Sequence, residues 1–446
     1  MTRAVLTAEA AEKRQRRLGG QLLRRGLRTG DRLGVIAADT GASPDSICLL
    51  LAALRLGIVP VVINPALLPA ERQALLADAD PAATIGPGEL QSMAAAEDAA
   101  GTDLAPAPLA RPMLYTSGTS GTPKGVWSGI LSESDAAALV AEERELWGFD
   151  AADRHLVCGA QYHSAPLRFA FGTLLAGGTL ILPGRFEPTA VADAIAAHRP
   201  TTTFMAPVHL QRLFDLPGAD TLDLGSFRLV AHAGAPCPEP LKRRVLARFP
   251  TGTVWEFYGS TEGQFTACSA DEWLERPGTV GRARPGRTLS VEGGTVWCQV
   301  PPWARWEYWR DPDKTALAWQ DDAFTVWDLG RLDDDGYLFL DGRRDDLILS
   351  GGVNVYPAEV ERALATITGV EEVVVFPRPD PVWGQRVCAA VVGYIDAGAV
   401  DRAARGLLAG YKRPKEIHIV PEIPVSPTGK VQRTRLAAQL HLQDVR

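Results

Sequence analysis

Between residues 8 and 27 the apolar positions Leu18, Leu22 and Leu23 recur at helical spacing among many arginines, until Gly26, Thr29 and Gly30 break the pattern. A surface helix is expected there. An apolar run over 33–38 precedes a stretch that opens at Ser43-Pro44 and stops at Gly57, and a second apolar run covers 58–63. Serine before proline starts a helix and glycine ends one, so this segment reads as strand, helix, strand. The alternation continues, with β-type runs at 156–159, 179–182, 202–205, 229–231 and 254–257 and helical stretches at 165–176, 190–198, 208–213 and 241–249. Strands that alternate with helices in this way specify a mostly parallel sheet with helices on both faces.

Beyond Gly278 the texture changes to short β-type segments at 295–300 and 323–326, then the turn Asp333-Asp334-Asp335-Gly336 leading into 337–340. An antiparallel subdomain fits. From Arg343 onward, strands at 373–376, 387–392 and 417–420 mix with helices at 358–366 and 402–409, and the alanine-rich patch at 94–100 reads as a loop or frayed helix. The expected fold class is therefore α/β. A large N-terminal domain, 1–343, would carry mostly parallel sheets flanked by helices plus the antiparallel subdomain, and a small α+β C-terminal domain, 346–446, would follow a boundary near Asp345.

Composition narrows the function. The chain has 446 residues, enough for about three domains or one large domain with a smaller partner. Hydrophobic residues at 46% and charged residues at 22% are globular values, and a net charge of −7 offers no broad basic face to nucleic acid or an anionic membrane. Neither partner is expected. The six cysteines are scattered without a C-x-x-C pair, which argues against a zinc site or a disulfide framework. The N-terminus has no apolar leader core, and the longest apolar run, 47–54, is far too short to span a bilayer. A cytoplasmic protein is expected.

The strongest chemical signal is the run from Tyr115 to Val126, which contains Thr116, Ser117, Gly118, Thr119, Ser120, Gly121, Thr122, Pro123, Lys124 and Gly125. Hydroxyls and backbone N–H groups with one cation suit a polyphosphate, and the glycines permit its close approach. The pattern is not the Walker loop, because Lys124 follows proline and precedes glycine.

With this run the chain resembles, over nearly its whole length, the adenylate-forming enzymes: acyl-CoA and aryl-CoA synthetases, peptide-synthetase adenylation domains and firefly luciferase. The resemblance implies that 116–124 holds the β- and γ-phosphates of ATP. It implies that Tyr258-Gly259-Ser260-Thr261-Glu262 is the second signature, with the tyrosine ring on adenine, Thr261 at the α-phosphate and Glu262 on Mg²⁺, a hard cation that suits one carboxylate plus phosphates. Gly234-Ala235-Pro236 resembles the segment lining the adenine pocket, and Asp328 and Arg343 resemble the residues that reach the ribose. Trp327 departs from the pattern, since the family normally has glycine before that aspartate.

Asp345 matches the hinge about which the small domain rotates, and Gly351 and Gly352 the glycines of the pantetheine tunnel. Lys430, in Pro427-Thr428-Gly429-Lys430, resembles the lysine bridging the substrate carboxylate and the α-phosphate, where a cation stabilises developing charge. Trp383, Arg413 and Lys415 resemble contacts to the nucleotide of coenzyme A. Tyr162, His163, Ser164, Ala233 and Gly259 would line the acyl pocket, and the small residues among them leave volume for an aromatic or other bulky acid. Trp303, Trp306, Tyr308 and Trp309 form an aromatic cluster without interleaved basic stripes and read as core or subdomain packing.

The expected function is ATP-dependent, AMP-forming activation of a carboxylic acid and transfer to coenzyme A, with ATP, Mg²⁺ and coenzyme A as cofactors. An amine or carrier-protein thiol as acceptor, or an unusual acid such as nitrite, is the alternative. The segment that usually precedes the first surface helix in this family is missing, and the stretch between Ala83 and Arg111 is short; the resemblance implies a trimmed scaffold.

Overall fold

The computed structural model describes residues 4–96, 101–116, 124–343, 348–350, 353–380, 384–408, 410, 412–425 and 431–444. The chain divides into two compact units, the first formed by 1–289 with 298–324 and the second by 290–297 with 325–446.

The first unit is built on an eight-stranded sheet in the order Ala4–Thr7, Thr179–Leu182, Arg154–Val157, Thr202–Met205, Leu229–His232, Val254–Glu256, Thr266–Ser269, Arg282–Ala283. The five strands from Thr179–Leu182 to Val254–Glu256 run parallel, and the outer ones pair antiparallel. Every residue of Thr202–Met205 and Leu229–His232 is buried, as expected where helices cover both faces. Within this core the buried His155 has its Nδ1 3.0 Å from Thr202 Oγ1.

Ala4–Thr7 was not anticipated from the pattern. It is a four-residue edge strand whose last residue, Thr7, caps the helix Ala8–Arg24 by accepting the Ala10 N–H at 3.2 Å. A second parallel sheet sets Arg32–Ile36 between Val59–Ile63 and Ala83–Ile85. Its crossover helix Pro44–Arg55 starts from a Ser43 capping box and is buried almost all round, which is why 47–54 is apolar on every face. The helix Pro87–Ala95 runs into the start of the alanine-rich patch, and residues 97–100 fall outside the described set. No helix among the described residues is long and apolar enough to cross a membrane.

The second unit contains the antiparallel pair Asp328–Leu332 and Leu338–Arg343 and a five-stranded sheet. In that sheet Val353–Val355, Ile348–Ser350, Gly384–Gly393 and Val370–Asp380 follow in order, and Glu416–Ile419 adds parallel to Gly384–Gly393. The strand Val370–Asp380 is longer than the apolar run 373–376 that marks it, because Pro377 and Pro379 are accommodated in its pairing with Gly384–Gly393. Helices Pro357–Leu364 and Ala397–Leu407 pack on one core with Val375, Val387, Ala389 and Val391, and Arg433–Asp444 packs through Leu436 and Leu440 on a second.

Candidate active site

The strands Leu114–Thr116 and Lys124–Trp127 pair antiparallel with Thr116 opposite Lys124, so they form the two legs that carry the hydroxyl-rich connection. Ser117, Gly118, Thr119, Ser120, Gly121 and Thr122 lie outside the described residues, and of Thr116 only the backbone is described. The legs are firmly placed. Tyr115 donates its hydroxyl to Asp78 Oδ2 at 2.5 Å, and Trp309 donates its backbone N–H to Gly125 O at 2.8 Å and its indole N–H to Asp78 O at 3.0 Å. Gly125 sits in a tight place, because a Cβ there would come within 2.4 Å of the Met113 methyl, 3.1 Å of the Tyr115 ring and 3.2 Å of Trp309, and the methionine end would have to move aside.

The second signature is a tight reversal at the end of the strand Val254–Glu256. Gly259 bridges to Gln264, and the Ser260 N–H donates to Gly263 O at 2.7 Å, which puts Thr261 and Glu262 at the tip of a four-residue turn. Tyr258 packs its ring on Phe265 with centroids 4.8 Å apart, and its backbone N–H donates to Thr266 Oγ1 at 3.2 Å. Glu262 is only 6% exposed, and Tyr308 donates its hydroxyl to Glu262 Oε1 at 3.0 Å. The Lys124 ammonium lies 4.8 Å from the centre of the same tyrosine ring. Tyr308 thus stands between the lysine of the first motif and the carboxylate of the second. The donor set at the turn tip, one carboxylate, fits a divalent cation whose other ligands are phosphate oxygens and water.

From the strand Leu229–His232 the chain passes through buried Ala233 into Gly234, at φ 91°, then Ala235 and Pro236. Tyr162 and His163 precede the helix Ser164–Leu175, with their rings 4.7 Å apart. Burial lowers the His163 pKa to about 4 and raises that of the Tyr162 phenol, so both are neutral near pH 7. His163 Nε2 is buried without a hydrogen-bond partner among the described residues. Cys237 has its thiol pKa pushed up to about 12 by burial, which removes it as a nucleophile.

Within the second unit, Asp328 is buried and faces Arg343 directly across the antiparallel ladder, so the two expected ribose contacts are cross-strand partners. The departure at Trp327 has a backbone cost. Its φ is +64°, in the left-handed region that glycine enters freely, and the indole packs edge-on to Trp297 with centroids 6.5 Å apart. Lys415 donates to Gly410 O at 2.7 Å, and its pKa is lowered by burial and by the neighbouring Arg413, so these two cations share one turn. Asp345, Gly351, Gly352, Trp383 and Lys430 lie outside the described residues, as does the side chain of Arg343.

Both motifs lie in regions that match known families. Residues 2–113 and 111–303 match the AMP-binding enzyme family, and residues 359–430 match the AMP-binding enzyme C-terminal domain. The chain is an AMP-binding enzyme. It is 34% identical to indoleacetate–CoA ligase of Aromatoleum aromaticum over 341 residues, which is 72% of this chain and 65% of that one. Feruloyl-CoA synthase of an Amycolatopsis species is 32% identical over 96% of this chain and 92% of its own. Among solved structures, ATP-bound MatB from Rhodopseudomonas palustris superposes with a TM-score of 0.82 at 30% identity, over 97% of this chain and 93% of that one. The α/β class read from the pattern is the class of this enzyme.

In this AMP-binding enzyme the residue that sequence reasoning passed over is Tyr308. It sits among three tryptophans and was assigned to packing with them, which it does share: its ring centroid is 4.8 Å from that of Trp306. Its hydroxyl is the distinguishing feature. A buried phenol requires a partner, so one tyrosine in a run of tryptophans is the available signal.

Proposed function

We propose that this AMP-binding enzyme activates an aromatic or other bulky carboxylic acid as its acyl-adenylate and passes the acyl group to coenzyme A. The observation that carries the reading is the convergence of Lys124 and Glu262 on Tyr308, which brings the phosphate-loop lysine and the signature carboxylate to one place. In this reading the loop from Thr116 to Lys124 holds the β- and γ-phosphates, and Tyr258 with Gly234, Ala235 and Pro236 borders the adenine. Asp328 and Arg343 hold the ribose, and Thr261 meets the α-phosphate. Mg²⁺ would be held at Glu262 and would supply charge neutralisation to the phosphates.

A carboxylate oxygen then bonds to the α-phosphorus as the bond to pyrophosphate breaks, while Lys430 bridges the carboxylate and the α-phosphate and stabilises the charge that develops. Rotation of 346–446 about Asp345 withdraws that lysine and offers Gly351 and Gly352 as the tunnel for the thiol, with Trp383, Arg413 and Lys415 at the coenzyme A nucleotide. The sulfur bonds to the acyl carbon, the bond to AMP breaks, and the thiol proton passes to solvent. The neutral Tyr162–His163 wall with Ser164, Ala233 and Gly259 supports a ring-bearing acid over a small one, and the two ligases named above for indoleacetate and feruloyl substrates agree with it. Pyrophosphate release measured across a panel of acids without acceptor tests this: aromatic acids should lead, and acetate as the best substrate would refute it.

A further inference from the structure

Three ionisable side chains that the proposed reaction does not use meet beneath the two strands that feed the site. Lys242, on the helix Glu239–Arg248, is 1% exposed. Its Nζ lies 2.6 Å from His232 Nε2 and 3.1 Å from Glu256 Oε2. His232 ends the strand Leu229–His232, Glu256 ends Val254–Glu256, and the two are direct partners in the parallel ladder. The ladder continues for one more hydrogen bond, from the Phe257 N–H to His232 O at 3.2 Å, and there the strands part. One chain enters Ala233-Gly234-Ala235-Pro236 and the other enters Tyr258-Gly259-Ser260-Thr261-Glu262.

Burying an ammonium group is costly and stabilises a fold less well than an apolar side chain of the same size. Methionine would fill this space beside Trp273, whose ring lies 5.7 Å from Nζ, so packing alone does not account for a lysine. What the ammonium adds is direction: its donors reach groups on two different strands and set the distance between them at the last residue before each loop.

We propose that Lys242 is a positioning residue, which ties His232 to Glu256 and so holds the loops 233–236 and 258–262 at the spacing that adenylation requires. The proposal rests on the adenylation reading above, and its test separates the two. Lys242→Met alone leaves Glu256 buried beside no cation, so the double variant Lys242→Met/Glu256→Gln, which removes both charges, is made with it. Hydrogen exchange of peptides covering the two loops, and kcat and KM for pyrophosphate release with an accepted acid, are compared with the native protein. In the double variant the proposal expects cooperative thermal unfolding, faster exchange confined to the two loops, and kcat lower by about tenfold or more with KM for the acid little changed. Loops as protected as in the native protein, or loosened loops with native kcat, would overturn it. A native protein that forms no adenylate with any acid would overturn the adenylation reading instead, and exchange in the two loops would still decide the tie.

Discussion

Replacing Tyr308 by phenylalanine removes one oxygen from the centre of the candidate site. The ring remains to pack on Trp306 and beneath the Lys124 ammonium, so the loss is confined to the hydroxyl that donates to Glu262 Oε1 at 3.0 Å. Glu262 is 6% exposed and water cannot readily replace that donor. A hydrogen bond to a charged group contributes about 1.5–3 kcal/mol, and at about 1.36 kcal/mol per decade its loss slows the step that depends on it by about 10- to 150-fold. If Glu262 works on the Mg·ATP complex, the loss falls on kcat and on Mg²⁺ dependence rather than on the acid. Titrating Mg²⁺ against the initial rate of pyrophosphate release should show a raised half-saturation and a lowered plateau for Tyr308→Phe, with KM for the acid unchanged. Native Mg²⁺ dependence and native kcat in a folded Tyr308→Phe variant would refute the assignment of Glu262.

Three further predictions concern separate links. At Trp327, with φ +64°, Trp327→Gly should be more stable to urea than Trp327→Ala by about 1 kcal/mol, because both lose the indole and only alanine retains the left-handed strain; equal stability would contradict this. His155 is buried and its pKa is lowered to about 3, against 6.5 when exposed, so as pH falls below 6.5 the unfolded chain takes up a proton that the fold refuses. Stability should drop by up to about 1.4 kcal/mol per pH unit from this group, and His155→Gln should make the urea midpoint fall less steeply between pH 6.5 and about 5, with the slope from other buried histidines such as His163 remaining; an unchanged slope would count against it. Lys430→Ala should still bind ATP and still convert pre-formed acyl-adenylate to thioester while adenylation collapses; equal loss of both half-reactions would remove Lys430 from its proposed place.

The parallel core was legible because its strands are short apolar runs flanked by helical stretches, as at Thr202–Met205 and Leu229–His232, where burial on both faces leaves no polar alternation to confuse the reading. Ala4–Thr7 escaped because an edge strand of four residues takes its order from a partner, Thr179–Leu182, far along the chain. The two candidate motifs stand out in residue type and spacing, since turns need their glycines and hydroxyls locally. Tyr308 and Lys242 do not. Each owes its place to groups brought in by other elements: Glu262 at a turn tip for the tyrosine, and His232 and Glu256 at two strand ends for the lysine. Within the helix Glu239–Arg248 its place three residues before buried Val245 puts Lys242 on the buried face, but nothing in the helix names its partners on other elements.

The central claim is that the two motifs serve one two-step reaction ending on coenzyme A, and mass spectrometry of the protein with an aromatic acid, ATP, Mg²⁺ and coenzyme A tests it most directly. The account predicts AMP and the acyl thioester in equal amounts, with thioester formation weakened when Arg413 and Lys415 are both replaced by alanine. An acyl-adenylate that accumulates and hydrolyses with coenzyme A untouched would contradict the acceptor and turn the search to amines and carrier-protein thiols, and the absence of any adenylate or AMP would contradict the claim as a whole.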